Sequence, residues 1–318
     1  MIVLEKRAKG RLGKPPEERS VEELLESCFA VVDKPVGPTS HQVSAWVRDM
    51  LGVGRTGHAG TLDPNVSGVL IMGISRATRL LEYFKQSPKE YVAVMQLHED
   101  VDSERIREVF SEFKGKIYQT PPVRSAVKRR LRVREVYENS IIEIDGRLVL
   151  FRVRCEAGTY IRTLCRDIGE ALAVGAHMLE LRRTATAHFT EKDACTLHQL
   201  RDAYEFYMEG DESFIRRLLI PVEAALRFPD VVVKDAAASA VVHGAQLAAT
   251  GIASLEEGIN EGDRVLVKTI RGQAVAVGRA LHGAQHIAVM DKGVAVRVEK
   301  VLVPAAGFPK LWRTTQAS

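Results

Sequence analysis

Apolar residues along the chain switch repeatedly between alternating, continuous and helical spacing, and each switch marks an element. FAVVDKP (29–35) is a short apolar run closed by Pro35 and predicts a strand. Thr39 and Gln42 stand at capping-box spacing, and Val43, Trp46, Val47 and Met50 recur at i, i+3, i+4 and i+7. A helix is therefore expected from there to about Gly52. GVLIMGI (68–74) reads as a buried strand, Ala77, Leu80, Leu81 and Phe84 as the apolar side of a helix, and YVAVMQL (91–97) as another strand. IIEI and RLVLFRVRC flank Asp145-Gly146, a pair suited to a hairpin turn. In the second of these strands Phe151, Val153 and Cys155 share one face, and Arg152 and Arg154 the other. Ile161, Leu164, Cys165, Ile168 and Leu172 form a helical stripe, which puts Arg162 near that helix's first turn.

Around residues 226–229 the texture changes to short strands (DVVVK, DRVLVKTI, AVAVGRAL, GVAVRVEKVLV) separated by glycine and Asn/Asp turns. This predicts a second, small β-rich domain. Residues 1–27 are polar and basic, broken by Pro15-Pro16, and are expected to be an extension without a core of its own. The expected division is 1–27 extension, 28–227 main domain, 228–304 second domain and 305–318 tail. Mixed helices and hairpins make the main domain α+β, with a largely antiparallel sheet and no Rossmann or P-loop glycine pattern.

A length of 318 residues fits about two domains. The net charge is +4, but Arg124 to Arg134 (RSAVKRRLRVR) carries six basic residues and no acid, so the remainder sums to 4 − 6 = −2. The positive charge is a patch, fit for RNA phosphate once Arg124, Lys128, Arg129, Arg130, Arg132 and Arg134 are counted together; a solvated strand face is the plainer alternative. Cys28, Cys155, Cys165 and Cys195 have no metal-ligand spacing and no disulfide-framework pattern. The charged N-terminus lacks an apolar h-region, and no run of 18 apolar residues occurs, so neither a signal peptide nor a membrane span is expected. No metal or other cofactor is called for, and a reducing intracellular compartment is expected.

Candidate chemistry gathers in residues 52–68 (GVGRTGHAGTLDPNVSG), which contain five glycines and read as a long loop presenting His58 and Asp63 before a buried strand. Alone, an Asp-Pro step is a turn residue; with that much glycine the backbone can lie close to a ligand.

Residues 57–70 (GHAGTLDPNVSGVL) resemble the TruB-type pseudouridine synthases, and the rest of the chain resembles the archaeal dyskerin-like branch of that family. The resemblance runs through KPPEERSVEELL, DKPVGPTSHQV, SPKEYVAVMQLH, IYQTPPVRSAVKRRLRVR, CEAGTYIRTLCRDIGEAL and VGAHMLELRRT, in that order. HGAQLAATGI, EGDRVLV and VAVGRAL look like a PUA domain. The resemblance implies a pseudouridine synthase catalytic domain at 28–227 and a PUA RNA-binding domain at 228–304. It makes Asp63 the catalytic aspartate, a nucleophile or base beside the ribose in a reaction that needs no metal. It further implies that Arg162 holds Asp63 charged through a paired hydrogen bond, that Tyr91 stacks on the target base and Leu181 lines its pocket, that Tyr160 is another pocket residue, and that His58 contacts displaced RNA. The implied partners are H/ACA guide RNA, substrate rRNA, tRNA as a guide-free option, and proteins of the Nop, Gar and kink-turn-binding types. A non-catalytic RNA-binding scaffold is the alternative, and the location implied is cytoplasmic. Two departures from the family stand out: ATAHF (185–189), where the family tends to carry a glycine before the Phe, and Thr250, where the PUA pattern commonly has Pro.

Overall fold

The computed structural model describes residues 1–5, 10–120 and 130–311. They form two compact units, Ala30–Leu218 and a second made of Met1–Phe29 together with Leu219–Ser318.

The sheet of the larger unit runs in the order Ser27–Lys34, Ser67–Ser75, Ala176–Thr186, Lys89–Leu97, Leu148–Cys155, Arg132–Asp145, Gly115–Gln119. The four pairings from Ala176–Thr186 outward are antiparallel, whereas Ser67–Ser75 meets Ala176–Thr186 in parallel at Ser67/Arg182 and Gly68/Arg183. That contact is close: a Cβ on Gly68 would lie 2.2 Å from the Arg183 carbonyl oxygen, and Gly68 has φ +106°. Only glycine fits. Helices Ser103–Glu112 and Ile161–Ala171 cover one face, burying Ile106, Phe110, Leu164 and Ile168 against Ala93, Met95, Phe151 and Val153.

Most elements arise where the apolar pattern predicts them. Thr39 caps the helix Ser40–Met50 through a reciprocal pair with Gln42, and Gly52 ends it at φ +61°. Trp46 is exposed, so the buried stripe is narrower than its spacing suggests. The hairpin forms, but Asp145 pairs with Leu148 and the turn is Gly146-Arg147, one residue later than expected, because Gly146 takes the first turn position at φ +54°. The run Ala77–Phe84 buries its apolar residues on a 3-10 segment, Arg76–Leu80, followed by a short helix, Glu82–Lys85.

The long loop expected at 52–68 is interrupted by a strand, Thr56–Ala59, paired with residues 71–74. Gly57 and Gly73 lie opposite one another there, and a Cβ on either would press on the Leu81 side chain at 3.0–3.1 Å. Part of the glycine content thus serves sheet packing, and the loop proper begins at Gly60.

In the second unit a seven-stranded sheet runs Ile2–Val3, Ile252–Leu255, Asp230–Val233, Arg264–Thr269, Ala274–Ala280, Val294–Val301, Leu247–Ala248. The helix Asp235–Val242 packs Ala238 and Val241 into its core. Of the expected extension 1–27, the described residues belong to this second unit. Ile2–Val3 pairs with Ser254–Leu255, Leu12 packs on the core, and Val21, Leu24 and Leu25 are buried on a short helix capped by Ser20 and Glu23. Ile2, Leu4 and Leu12 are too sparse to show a period, and they pack on a core more than 200 residues away in sequence. Among the described residues no helix is long and apolar enough to cross a membrane, and no cluster of three metal-ligating side chains occurs.

Candidate active site

A cavity of about 270 Å³ in the larger unit gathers Asp63, Tyr91, Tyr160, Arg162 and Leu181, together with Gly60, Lys85, Lys89, Met178 and Arg183. They come from four places: the Gly60–Asp63 loop, the strand Lys89–Leu97 with Lys85 just before it, the strand Ala176–Thr186, and the start of the helix Ile161–Ala171. Asp63 heads a tight turn in which Val66 N–H donates to the Asp63 carbonyl at 3.0 Å, with Pro64 in the second position. The turn is clamped from below. The buried Ser40 hydroxyl donates to Leu62 O at 3.0 Å and accepts from Leu62 N–H at 2.9 Å, and Lys34 Nζ donates to Pro64 O at 3.3 Å.

Tyr160 caps the helix that carries Arg162. The buried Gln119 amide brackets its backbone, accepting from Tyr160 N–H at 3.0 Å and donating to Tyr160 O at 3.1 Å. Two clamped loops thus face each other, and across them the Arg162 guanidinium Nη2 donates to Asp63 Oδ2. Both side chains of this ion pair stay about half exposed at the cavity. A carboxylate held in this way keeps one oxygen in reach of a ligand.

Tyr91, on Lys89–Leu97, lies opposite Arg183 on Ala176–Thr186, and Leu181 is opposite Ala93. Leu181 therefore belongs to a strand. Burial pushes the Tyr91 hydroxyl above its ordinary range, and the nearby positive charge of Arg183 pulls it partly back. Arg183 itself is 1% exposed, and donates to Val69 O at 2.7 Å and Gly60 O at 3.1 Å. Gly60 takes φ +81° beside it. Lys89 is likewise buried; its ammonium donates to Phe84 O, Lys85 O and Ser87 O at 3.3, 2.8 and 2.6 Å, and burial, helped by Arg183, lowers its pKa to about 8.

His58 does not line this cavity. It lines a neighbouring one of about 550 Å³ with His41, Arg55 and Lys85, the two cavities sharing Gly60, Thr61 and Lys85. Its ring meets His41 edge-on at 4.9 Å, and burial lowers its pKa to about 4, so the imidazole is neutral. Of the basic run, Arg124, Lys128 and Arg129 lie outside the described residues. Arg130 is exposed, and Arg132 opens the strand Arg132–Asp145. Arg134 turns back on the chain, pairing with Glu156 at 3.2 Å and donating to Gly158 O at 3.3 Å. At the departure from the family pattern, strand Ala176–Thr186 turns back on Phe189 through Ala187, which adopts φ +56°, a region glycine enters more readily.

Lys34, Lys89, Arg183, Ser40 and Gln119 are not singled out by the sequence reasoning. For Lys89 a signal exists: it stands in phase with the buried Ala93, Met95 and Leu97, where a period-two strand should carry an apolar residue. Arg183 gives none, being the second of two adjacent arginines, of which Arg182 forms a surface bridge to Asp33 and Glu191.

Residues 48–105 and 98–161 match the TruB family pseudouridylate synthase N-terminal domain, and residues 162–227 the tRNA pseudouridylate synthase B C-terminal domain. Residues 229–302 match the PUA domain and 2–44 the DKCLD (NUC011) domain. The chain is 52% identical over 303 residues to a probable tRNA pseudouridine synthase B of Methanothermobacter thermautotrophicus, covering 95% of this chain and 94% of that one. Among solved structures, it is 48% identical to a chain of a Cbf5–Nop10–Gar1 complex with a TM-score of 0.87, over 98% of this chain and 96% of that. It is 46% identical, with a TM-score of 0.88 and the same coverage, to a chain of an H/ACA ribonucleoprotein bound to a substrate RNA containing 2′-deoxyuridine.

Proposed function

Because the chain belongs to the TruB family of pseudouridine synthases, we propose that it isomerises uridine to pseudouridine in RNA as the catalytic subunit of an H/ACA guide-RNA particle, with rRNA its chief substrate and tRNA a guide-free one. The observation that carries this is the Asp63–Arg162 pair at the cavity beside Tyr91. The reaction must break C1′–N1 and join C5 to C1′ within one nucleotide. That calls for an oxygen group beside the ribose, a flat wall for the detached base, and enclosure so the base cannot escape. Asp63 is the oxygen group, oriented by Arg162. Tyr91 supplies the flat wall, and Leu181 and Met178 complete it. Tyr160 borders the pocket opposite Asp63's turn. A target uridine must leave its stack to enter, and His58 with His41 and Lys85 in the adjoining cavity would receive the RNA it leaves behind.

Guide RNA, together with proteins of the Nop, Gar and kink-turn-binding types, is the assembly proposed, supported by the solved relatives. The PUA segment at 228–304 and the basic residues Arg124, Lys128, Arg129, Arg130, Arg132 and Arg134 would grip RNA backbone. A cytoplasmic location is part of the proposal, supported by four unpaired, buried cysteines that suit a reducing compartment. The test is pseudouridine formation on a guided RNA and on tRNA, each with and without guide. Product on the guided RNA only with guide is expected; RNA binding without product on either would leave a scaffold instead.

A further inference from the structure

Three cations are buried in the larger unit with only uncharged hydrogen-bond partners among the described residues. Lys34 is fully buried on the carbonyls of Pro35, Pro38 and Pro64, Lys89 on those of Phe84, Lys85 and Ser87, and Arg183 on those of Val69 and Gly60. Burying a cation without a carboxylate is costly, and a neutral donor could satisfy the same carbonyls. The cavity shows the imbalance directly: Lys85, Lys89, Arg162 and Arg183 line it, against the single carboxylate of Asp63, which Arg162 already engages. A pocket so built favours a ligand that becomes negative.

We propose that Arg183 and Lys89 hold the pocket at a positive potential that stabilises the base while it leaves the ribose as an anion. This rests on reading the cavity as the uridine pocket. When C1′–N1 breaks, its electron pair goes to N1, and the charge spreads over N1 and the two carbonyl oxygens, leaving C1′ electron-poor beside Asp63. When C5 then bonds to C1′, the C5 proton departs and N1 takes one up, so the base enters and leaves neutral. The charge exists only in between. Fixed cations facing it therefore stabilise the transition state more than the bound uridine. Lys89 Nζ and Arg183 Nε and Nη2 donate to carbonyls of the fold, so both are held in place to act through their charge. Lys85 is exposed and free to meet phosphate instead.

The test uses the full chain assembled on guide RNA with its partner proteins, under single turnover, with uridine or 5-fluorouridine at the target. Fluorine withdraws electrons, so that base leaves as a weaker base and needs less help. Loss of the intact N-linked nucleoside is read in nuclease digests of both RNAs. Lys89→Met and Arg183→Met should slow uridine by on the order of 10²-fold and 5-fluorouridine distinctly less, while Lys89→Arg should restore the wild-type ratio of the two rates. Equal losses on both RNAs, or no loss, would overturn the proposal. Should the methionine variants not fold, Arg183→Lys decides: whatever its absolute rate, it must keep the wild-type ratio, and a changed ratio contradicts the charge role. A wild-type assembly that converts neither RNA overturns the functional assignment and this proposal with it.

Discussion

Arg19 and Arg183 are both buried guanidinium groups, and the two units hold them in opposite ways. In the unit built from Met1–Phe29 and Leu219–Ser318, Arg19 donates to both oxygens of Glu223, at 2.5 and 3.2 Å, and to Lys14 O at 3.0 Å. Glu223 Oε1 in turn accepts from Ala274 N–H at 2.8 Å. Lys268, partly buried in the same unit, is likewise matched, by Asp230 at 2.7 Å. In Ala30–Leu218, Arg183 and Lys89 have only carbonyl partners among the described residues. A matched pair cancels its own field and holds chain segments together. An unmatched cation costs stability but leaves a field for something else to use. The difference separates a packing element from a reaction vessel, even though both bury charge to a similar depth.

That contrast can be broken experimentally. The largest effect is expected in the matched unit: Glu223→Gln strands Arg19 and should cost about 3–5 kcal/mol in denaturant unfolding, whereas removing both charges with Arg19→Met/Glu223→Met should recover most of it. A single variant as stable as wild type would show that the pair is not the brace. Next comes Arg162→Ala. Its partner Asp63 is half exposed, so stability should change by less than about 1 kcal/mol, while tritium release from 5-tritiated uridine RNA should fall by on the order of 10²-fold. Unchanged turnover would remove Arg162 from the site. A smaller effect is expected at Tyr91: Leu loses the flat ring and should cost about tenfold in turnover, in line with stacking on one base, whereas Phe keeps the ring and should cost less. Equal rates for the two would return Tyr91 to plain packing.

A pH dependence follows from the same charge on Lys89. In the folded chain Lys89 releases its proton near pH 8 because it is buried and faces Arg183, while in the unfolded chain an ordinary lysine holds it to about 10.4. Between those values the unfolded chain binds more protons, so folding gains as pH rises above 8. The positive charge in the pocket is lost over the same range, so turnover should fall as stability rises. Lys89→Arg should move the fall in turnover to higher pH, and identical pH profiles would contradict it.

The elements of the larger unit were largely readable because each has a period or a cap of its own: the Thr39/Gln42 box, the Ile161–Leu172 stripe, the alternation at 148–155. Residues 1–12 were not, since Ile2 and Leu12 are isolated in sequence and pack on a distant sheet. At the site, Asp63, Tyr91, Tyr160, Arg162 and Leu181 were found through long motifs and do converge on one cavity. His58 stands in the next cavity because the glycines around it pair as a strand in place of a free loop. The second layer escaped notice for a physical reason. Ser40 and Gln119 act on the backbone of loops 22 and 41 residues away, and Arg183 differs from its bridging neighbour Arg182 only in the face of the strand it occupies.

The measurement that bears most directly on the account is Asp63→Asn in the full chain assembled on guide RNA, with tritium release and RNA binding followed on the same preparation. Asn keeps the shape and hydrogen-bonding capacity of Asp but not its charge or nucleophilic oxygen. Turnover should drop by on the order of 10³-fold or more while guide and substrate RNA bind as in wild type. Appreciable residual turnover with binding intact would contradict the account, because the reaction would then be carried out by some group other than Asp63.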